Sequence, residues 1–264
     1  MKNILVPVGS SKNALSHLQY AVDFAHTFNA KLFVVQVYNV FTKAGTMIKV
    51  DPIIKRESKA FMEDLVSKID TKGVKIVIKT LKGDLIDTLE LACNAADVDL
   101  VLVEPRTNSI KDEVYLGKTS GRIIKQMDVP ALIVPEGYVF SEPKHILMAL
   151  KSAIIKKEGV LVPIQDIKQR FQSNVDLLLV KTPYHNEGDF DLNTELQDLI
   201  SNVTETENAT TFQGVLEHFQ SHNPDMLCVV RRKRGFFNKI WEKNTILKKD
   251  FHSSKPVLVL SGLK

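Results

Sequence analysis

DLVLV at Asp99–Val103 and PALIV at Pro130–Val134 begin 31 residues apart, and so do DMLCV at Asp225–Val229 and PVLVL at Pro256–Leu260. Both pairs are offset by 126 residues, while the opening NILVPV at Asn3 matches HILMAL at His145 with an offset of 142. Equal spacing at the C-terminal end of two stretches that begin alike marks an internal repeat, and a repeat governs every more local reading. The 264-residue chain therefore reads as two homologous halves, 1–138 and 144–264, joined through EGYVFSEPK at Glu136–Lys144. The second half is 16 residues shorter between its first strand and DMLCV.

The first half alternates between apolar runs and amphipathic segments. KNILVPV is a continuous apolar run, as in a strand buried on both faces. Ser11 to Phe28 follows as a helix, with Leu15, Leu18, Val22 and Ala25 at helical spacing and Ser10 or Ser11 as N-cap. KLFVVQVYNV is the second strand. Pro52–Lys72 is a helix ended by Gly73, VKIVIKTL the third strand, and Asp84 caps the next helix. DLVLV, a helix over Gly117–Met127 and PALIV complete the order. Strands separated by crossover helices imply a parallel sheet covered on both faces.

The second half repeats this order in HILMAL, VDLLLVKT, NVTETE, DMLCVV and PVLVL. Its helices are expected near Glu158–Phe171, Leu192–Ile200, Phe212–Ser221 and Asn244–Phe251. NVTETE is polar and should lie at a sheet edge. In such a sheet, ligands bind beyond the carboxyl ends of the strands at the switch point, here between the ends of strands one and four.

Composition fits a soluble globular protein rather than a disordered one, with 44% apolar and 25% charged residues. No apolar run approaches the roughly 20 residues that a membrane helix needs. MKNILVPVGSS has too short an apolar stretch for a signal peptide, and Cys93 and Cys228 form no disulfide framework. A cytoplasmic protein is expected. The net charge of +4 is segregated: residues 139–230 carry 7 Lys/Arg against 13 Asp/Glu, and residues 231–264 carry 10 against 2.

ILVPVGSSKNA, DLVLV and LGKTSGRIIKQMDVPALIVP together resemble the universal stress protein family in its tandem form. The resemblance covers nearly all of the first half and the last third of the second. It implies an α/β fold of two flavodoxin-like (Rossmann-like) domains, each a five-stranded sheet of order 3-2-1-4-5. It also implies an internal pseudo-dimer paired through the fifth strands; whether the tandem chain forms a further homodimer stays open. Nucleotide-binding members carry, after strand four, Gly, two residues, Gly, nine residues, Gly, then Ser or Thr. Those slots hold Glu104, Thr107, Gly117 and Lys118 in the first half, and Val230, Lys233, Lys243 and Asn244 in the second. The family's acidic residue after strand one is Gly9 here; Lys151 and Ser152 follow the second half's first strand.

Glycine in such a loop lets amides approach phosphate closely, and Glu104 in its place repels phosphate. The resemblance therefore points to a stress-response binding or signalling module that is not an enzyme and takes no ATP cofactor in the family's usual manner. The alternative is ATP bound by the first half alone. Pro7, Gly9, Val37, Gly117, Lys118 and Thr119 would line that site, with Val37 against adenine and Gly117–Thr119 against phosphate.

Arg231, Arg232, Lys233 and Arg234, followed by Phe236, Phe237 and Trp241, form an anion-binding candidate. Basic residues beside aromatics can hold polyanions or single-stranded nucleic acid. A solvated loop is the plainer reading, and nucleic acid is not the expected partner. His218 and His222 stand at a chelating i, i+4 spacing, without a third ligand in the sequence, so no metal is expected.

Overall fold

A computed structural model describes residues 1–39, 50–105, 118–231 and 254–262. They form two compact units: residues 1–39, 50–105, 118–129 and 136–140 make the first, and residues 130–135, 141–231 and 254–262 the second.

In the first unit, strand β1 (Asn3–Pro7) is followed by α1 (Ala14–Phe28), β2 (Lys31–Tyr38), α2 (Val50–Ser67), β3 (Ile76–Lys82), α3 (Leu85–Ala95), β4 (Leu100–Val103) and α4 (Lys118–Gln126). Its strands pair in parallel in the order β3-β2-β1-β4. Ile4, Leu5 and Val6 of β1, and all four residues of β4, are buried. The continuous apolar run is thus a strand covered on both faces.

Helix α1 begins at Ala14, later than Ser11, and no side chain caps it. Neither Ser10 nor Ser11 is its N-cap; the Ser11 hydroxyl instead accepts from the Asn13 amide at 3.1 Å. The helix ends on Asn29 in the left-handed region, φ 51°, which asparagine tolerates better than most residues. Helix α2 stops at Ser67, short of the Lys72–Gly73 turn expected to end it. Tyr20 and Phe24 of α1 pack edge-on against Phe140 of the segment after the first half. Burial raises the Tyr20 hydroxyl pKa well above its usual value.

The second unit takes in β5 (Ala131–Ile133), then β6 (His145–Leu150), α5 (Val162–Phe171), β7 (Asn174–Lys181), α6 (Thr194–Leu199), β8 (Asn202–Glu207), α7 (Thr211–His222), β9 (Met226–Arg231) and β10 (Val257–Ser261). The second half's own strands run β8-β7-β6-β9-β10, all in parallel. This is the 3-2-1-4-5 order, with polar β8 at the edge as its sequence requires. Strand β5 belongs with this unit because it pairs antiparallel with β10, Leu132 opposite Leu258. The helix expected over Asn244–Phe251 lies outside the described residues.

The duplication is also visible in hydrogen bonds. Asp99, at the head of β4, accepts from the backbone amides of Lys2 and Asn3 at 2.5 and 2.9 Å. Asp225, at the head of β9, accepts from those of Lys144 and His145 at 2.9 and 3.0 Å. In each half the acidic residue that opens the fourth strand ties down the entry to the first.

Removing either carboxylate, Asp99→Ala or Asp225→Ala, is expected to cost about 1 kcal/mol, the net contribution of an ordinary exposed hydrogen-bonded group; urea midpoints measure this. Gly214 gives a sharper test. In an open helix Gly→Ala gains roughly 1 kcal/mol, but a Cβ on Gly214 would lie 2.8 Å from Val180 Cγ2 and 3.0 Å from its Cγ1. Val180 is fully buried, so Gly214→Ala is expected to destabilise, by about 1–3 kcal/mol of overpacking. Adding Val180→Ala should recover part of that loss.

Candidate functional site

Strand β1 has β2 on one side and β4 on the other, which makes the carboxyl ends of β1 and β4 the switch point of the first sheet. The chain leaves β1 through Pro7, and the Val8 amide donates to Val35 at 2.8 Å. Gly9 and Ser10 then turn over the sheet end. They wall a cleft of about 220 Å³ together with Val37 at the end of β2, Leu85 at the start of α3, Glu104 past β4, and Thr119 and Ser120 in the first turn of α4.

Glu104 lines this cleft and is only 4% exposed. Its Oε1 accepts from the Ser11 hydroxyl at 3.3 Å, and its backbone carbonyl accepts from the Ser120 hydroxyl. One acidic residue thus ties the β1 loop to the start of α4, across the place where a phosphate loop would leave room. The sequence gives Glu104 as a misfit in a glycine slot; it does not show the two serines that receive it. A second acceptor, Gln36 Oε1, is buried at the cleft without a hydrogen-bond partner among the described residues.

Helix α3 is held against α4 by a charged contact. Asp84 caps α3, as its sequence position indicates, by accepting from the Ile86 amide at 2.9 Å. It also takes Arg122 Nη2 at 3.1 and 3.2 Å. The Ile86 amide first, and then the Arg122 guanidinium, hold the Asp84 carboxyl below the usual carboxylate range.

Of the residues proposed for ATP, Pro7, Gly9, Val37 and Thr119 come together in this cleft. Lys118 opens α4. Gly117 lies outside the described residues, as does Thr107.

The second unit has its own cleft, of about 420 Å³, past the ends of β6, β9 and β10. Val230, in the slot of the first glycine, points an apolar side chain into it. The loop after β7 is strapped onto the end of β6: the Ala153 amide donates to the Asp189 carbonyl at 2.6 Å. Asp189 Oδ2 also accepts from the Asn186 amide at 2.8 Å. Burial raises the Asp189 pKa, but hydrogen bonds from the Asn186 amide and the Ser152 hydroxyl outweigh it and leave the carboxyl below its usual range.

Arg231 is not presented at the mouth of this cleft as an anion-binding residue. It is 4% exposed, and its Nη2 donates to the Ser261 hydroxyl of β10 at 3.3 Å. The last residue of an inner strand sends its side chain along the neighbouring strand. Arg232, Lys233 and Arg234, with Phe236, Phe237 and Trp241, lie outside the described residues. The His218 and His222 rings on α7 lie 5.6 Å apart, tilted by 53°, with His222 Nδ1 on the His218 carbonyl at 2.9 Å. Among the described residues no group of three His, Cys, Asp or Glu could hold a metal. Burial pushes the Cys93 thiol up to about 12 and raises that of Cys228 further, so both are inert. Among the described residues no helix is long and apolar enough to cross a membrane.

Comparison with known proteins adds the following. A family model described as the universal stress protein family matches residues 1–135. Universal stress protein MJ0531 of Methanocaldococcus jannaschii is 22% identical over 138 residues, covering 50% of this chain and 81% of that protein. A universal stress protein structure from Archaeoglobus fulgidus covers 98% of both chains at 17% identity, with a TM-score of 0.70. A putative universal stress protein from Pseudomonas aeruginosa covers 98% of this chain and 93% of its own at 12% identity, with a TM-score of 0.54. At these identities the two structures speak for the fold.

The Asp84 contact predicts a pH dependence. A carboxyl whose folded pKa is depressed adds stability above its unfolded value of about 3.9, and that stability is lost as pH falls through the lower folded value. Asp84→Asn is therefore expected to lower the urea midpoint at pH 7. The gap from the unaltered chain should shrink towards zero as the pH is brought below 4. A gap independent of pH would show that the charge of Asp84 is immaterial.

Proposed function

This chain belongs to the universal stress protein family, and from that premise we propose that it is a non-catalytic binding or signalling module of the stress response that does not take ATP in the family's usual manner. The observation that carries this reading is Glu104: a carboxylate with 4% exposure stands where the resemblance gives the first glycine of the phosphate loop. A carboxylate about 4 Å from a phosphate charge costs on the order of 1–4 kcal/mol, between the limits of bulk water and an effective dielectric of about 20. That is roughly one to three decades of affinity.

Two further observations support it. The cleft is lined by the Ser10 and Thr119 hydroxyls as well as by Glu104 and Gln36, and among these side chains the carboxylate is the one that phosphate meets as like charge. The cleft's volume of about 220 Å³ also falls below the roughly 300–1,000 Å³ usual for small-molecule sites. The free, buried Cys93 and Cys228 support a reducing, cytoplasmic location.

The second reading is ATP bound by the first half alone, favoured by the convergence of Pro7, Gly9, Val37 and Thr119 on one cleft. Calorimetric titration of the full chain with ATP and Mg²⁺ separates the two. No binding heat is expected below millimolar nucleotide, and Glu104→Gly should strengthen residual binding by at least tenfold. A submillimolar dissociation constant for the unaltered chain would overturn the first reading and establish the second.

A further inference from the structure

We propose that the cleft of the second unit binds a small amphipathic carboxylate, an aliphatic body with one anionic end, and that it is no longer a nucleotide site. At about 420 Å³ it lies within the range of small-molecule pockets, and it sits past the β6 and β9 ends, where a parallel sheet offers a ligand crevice.

The wall is aliphatic. Ile154 and Ile155, from the loop after β6, face the cleft with Val160 and Val230. Val160 and Val230 are buried at 4% and 7% exposure, whereas Ile154 is 42% exposed. An apolar surface in a concave site, part covered and part open to water, is one that an aliphatic ligand would complete. Lys156 and Lys157 follow directly on the two isoleucines and line the same cleft. Lysine is a point charge on a flexible stem, suited to the single anionic end of a ligand whose body lies on the wall. The acid at the site, Asp189, is committed to the Asn186 amide and the Ser152 hydroxyl. Its backbone holds Ala153, so it serves to strap the loop.

A nucleotide does not fit this arrangement. The first cleft is framed by the ends of β1, β2 and β4. The second draws on the ends of β6, β9 and β10 and takes nothing from the end of β7. The place corresponding to Val37, which would meet the base, contributes nothing to the second cleft. Val230 fills the slot where a phosphate loop needs its first glycine.

Decanoate, kept below its micelle threshold, is the probe for calorimetry on the full chain. Saturable binding at one site is expected, with the negative heat-capacity change of apolar burial and weaker affinity at high salt. Decanol, which has the same body without the charge, should bind at least tenfold more weakly. So should decanoate to a Lys156→Glu/Lys157→Glu variant, which alters only the rim, and to Val160→Trp, which fills the cavity. If Val160→Trp fails to fold by circular dichroism, the lysine variant alone decides. Absence of saturable decanoate binding, equal affinity for decanol, an unchanged lysine variant, or competitive displacement of decanoate by ATP would each overturn the proposal. None of these outcomes depends on whether the first cleft takes ATP, since Glu104 belongs to the other unit.

Discussion

A carboxylate that accepts two consecutive backbone amides sets the frame for all that follows. Asp99 does this for the entry to β1, and Asp225 for the entry to β6. Because the acid opens the fourth strand, it fixes where that strand starts relative to the first. Parallel pairing then runs from Ile4 opposite Leu100 in one half and from Ile146 opposite Met226 in the other. A slip of one residue would turn the fully buried strand faces out of register. With the register held, the two strand ends finish side by side, and the crevice between them follows from the topology.

The same frame carries two different chemistries. In the first half Glu104, just past β4, takes Ser11 of the β1 loop on its carboxylate and Ser120 of α4 on its carbonyl. In the second the strand ends bear Val230 and a loop with adjacent isoleucines. Backbone pairing is common to both halves, and the departures lie at the strand ends and in the loops that follow them. The two halves thus differ in kind at matching strand ends, a buried carboxylate in one and a branched aliphatic side chain in the other.

The strand pattern was legible because strands buried on both faces must be continuously apolar, as LVLV and MLCVV are. Polar NVTETE was legible as an edge for the converse reason, since β8 pairs only with β7 among the described residues. Asp84 was legible as a cap because capping is local, reaching Ile86 two residues on. What the sequence hid was non-local. Ser11 looks like a cap and instead meets Glu104, 93 residues away. Arg231 belongs to a basic run and looks exposed, yet its hydroxyl partner is Ser261, 30 residues on. Gly73 marked a turn correctly, with φ 75°, but the helix before it had already ended at Ser67. The slots for ATP could be numbered from the motif, but the two serines that hold Glu104 could not.

Strand β5 is encoded before the join between the repeats but hydrogen-bonds to β10, the last strand of the chain. A cut made at the join would therefore strip β10 of its antiparallel neighbour and bare a row of amides and carbonyls on a Val-Leu-Val-Leu strand, the kind of rim along which polypeptides aggregate. Any rearrangement of the chain that parted the two copies at that point would carry the same penalty.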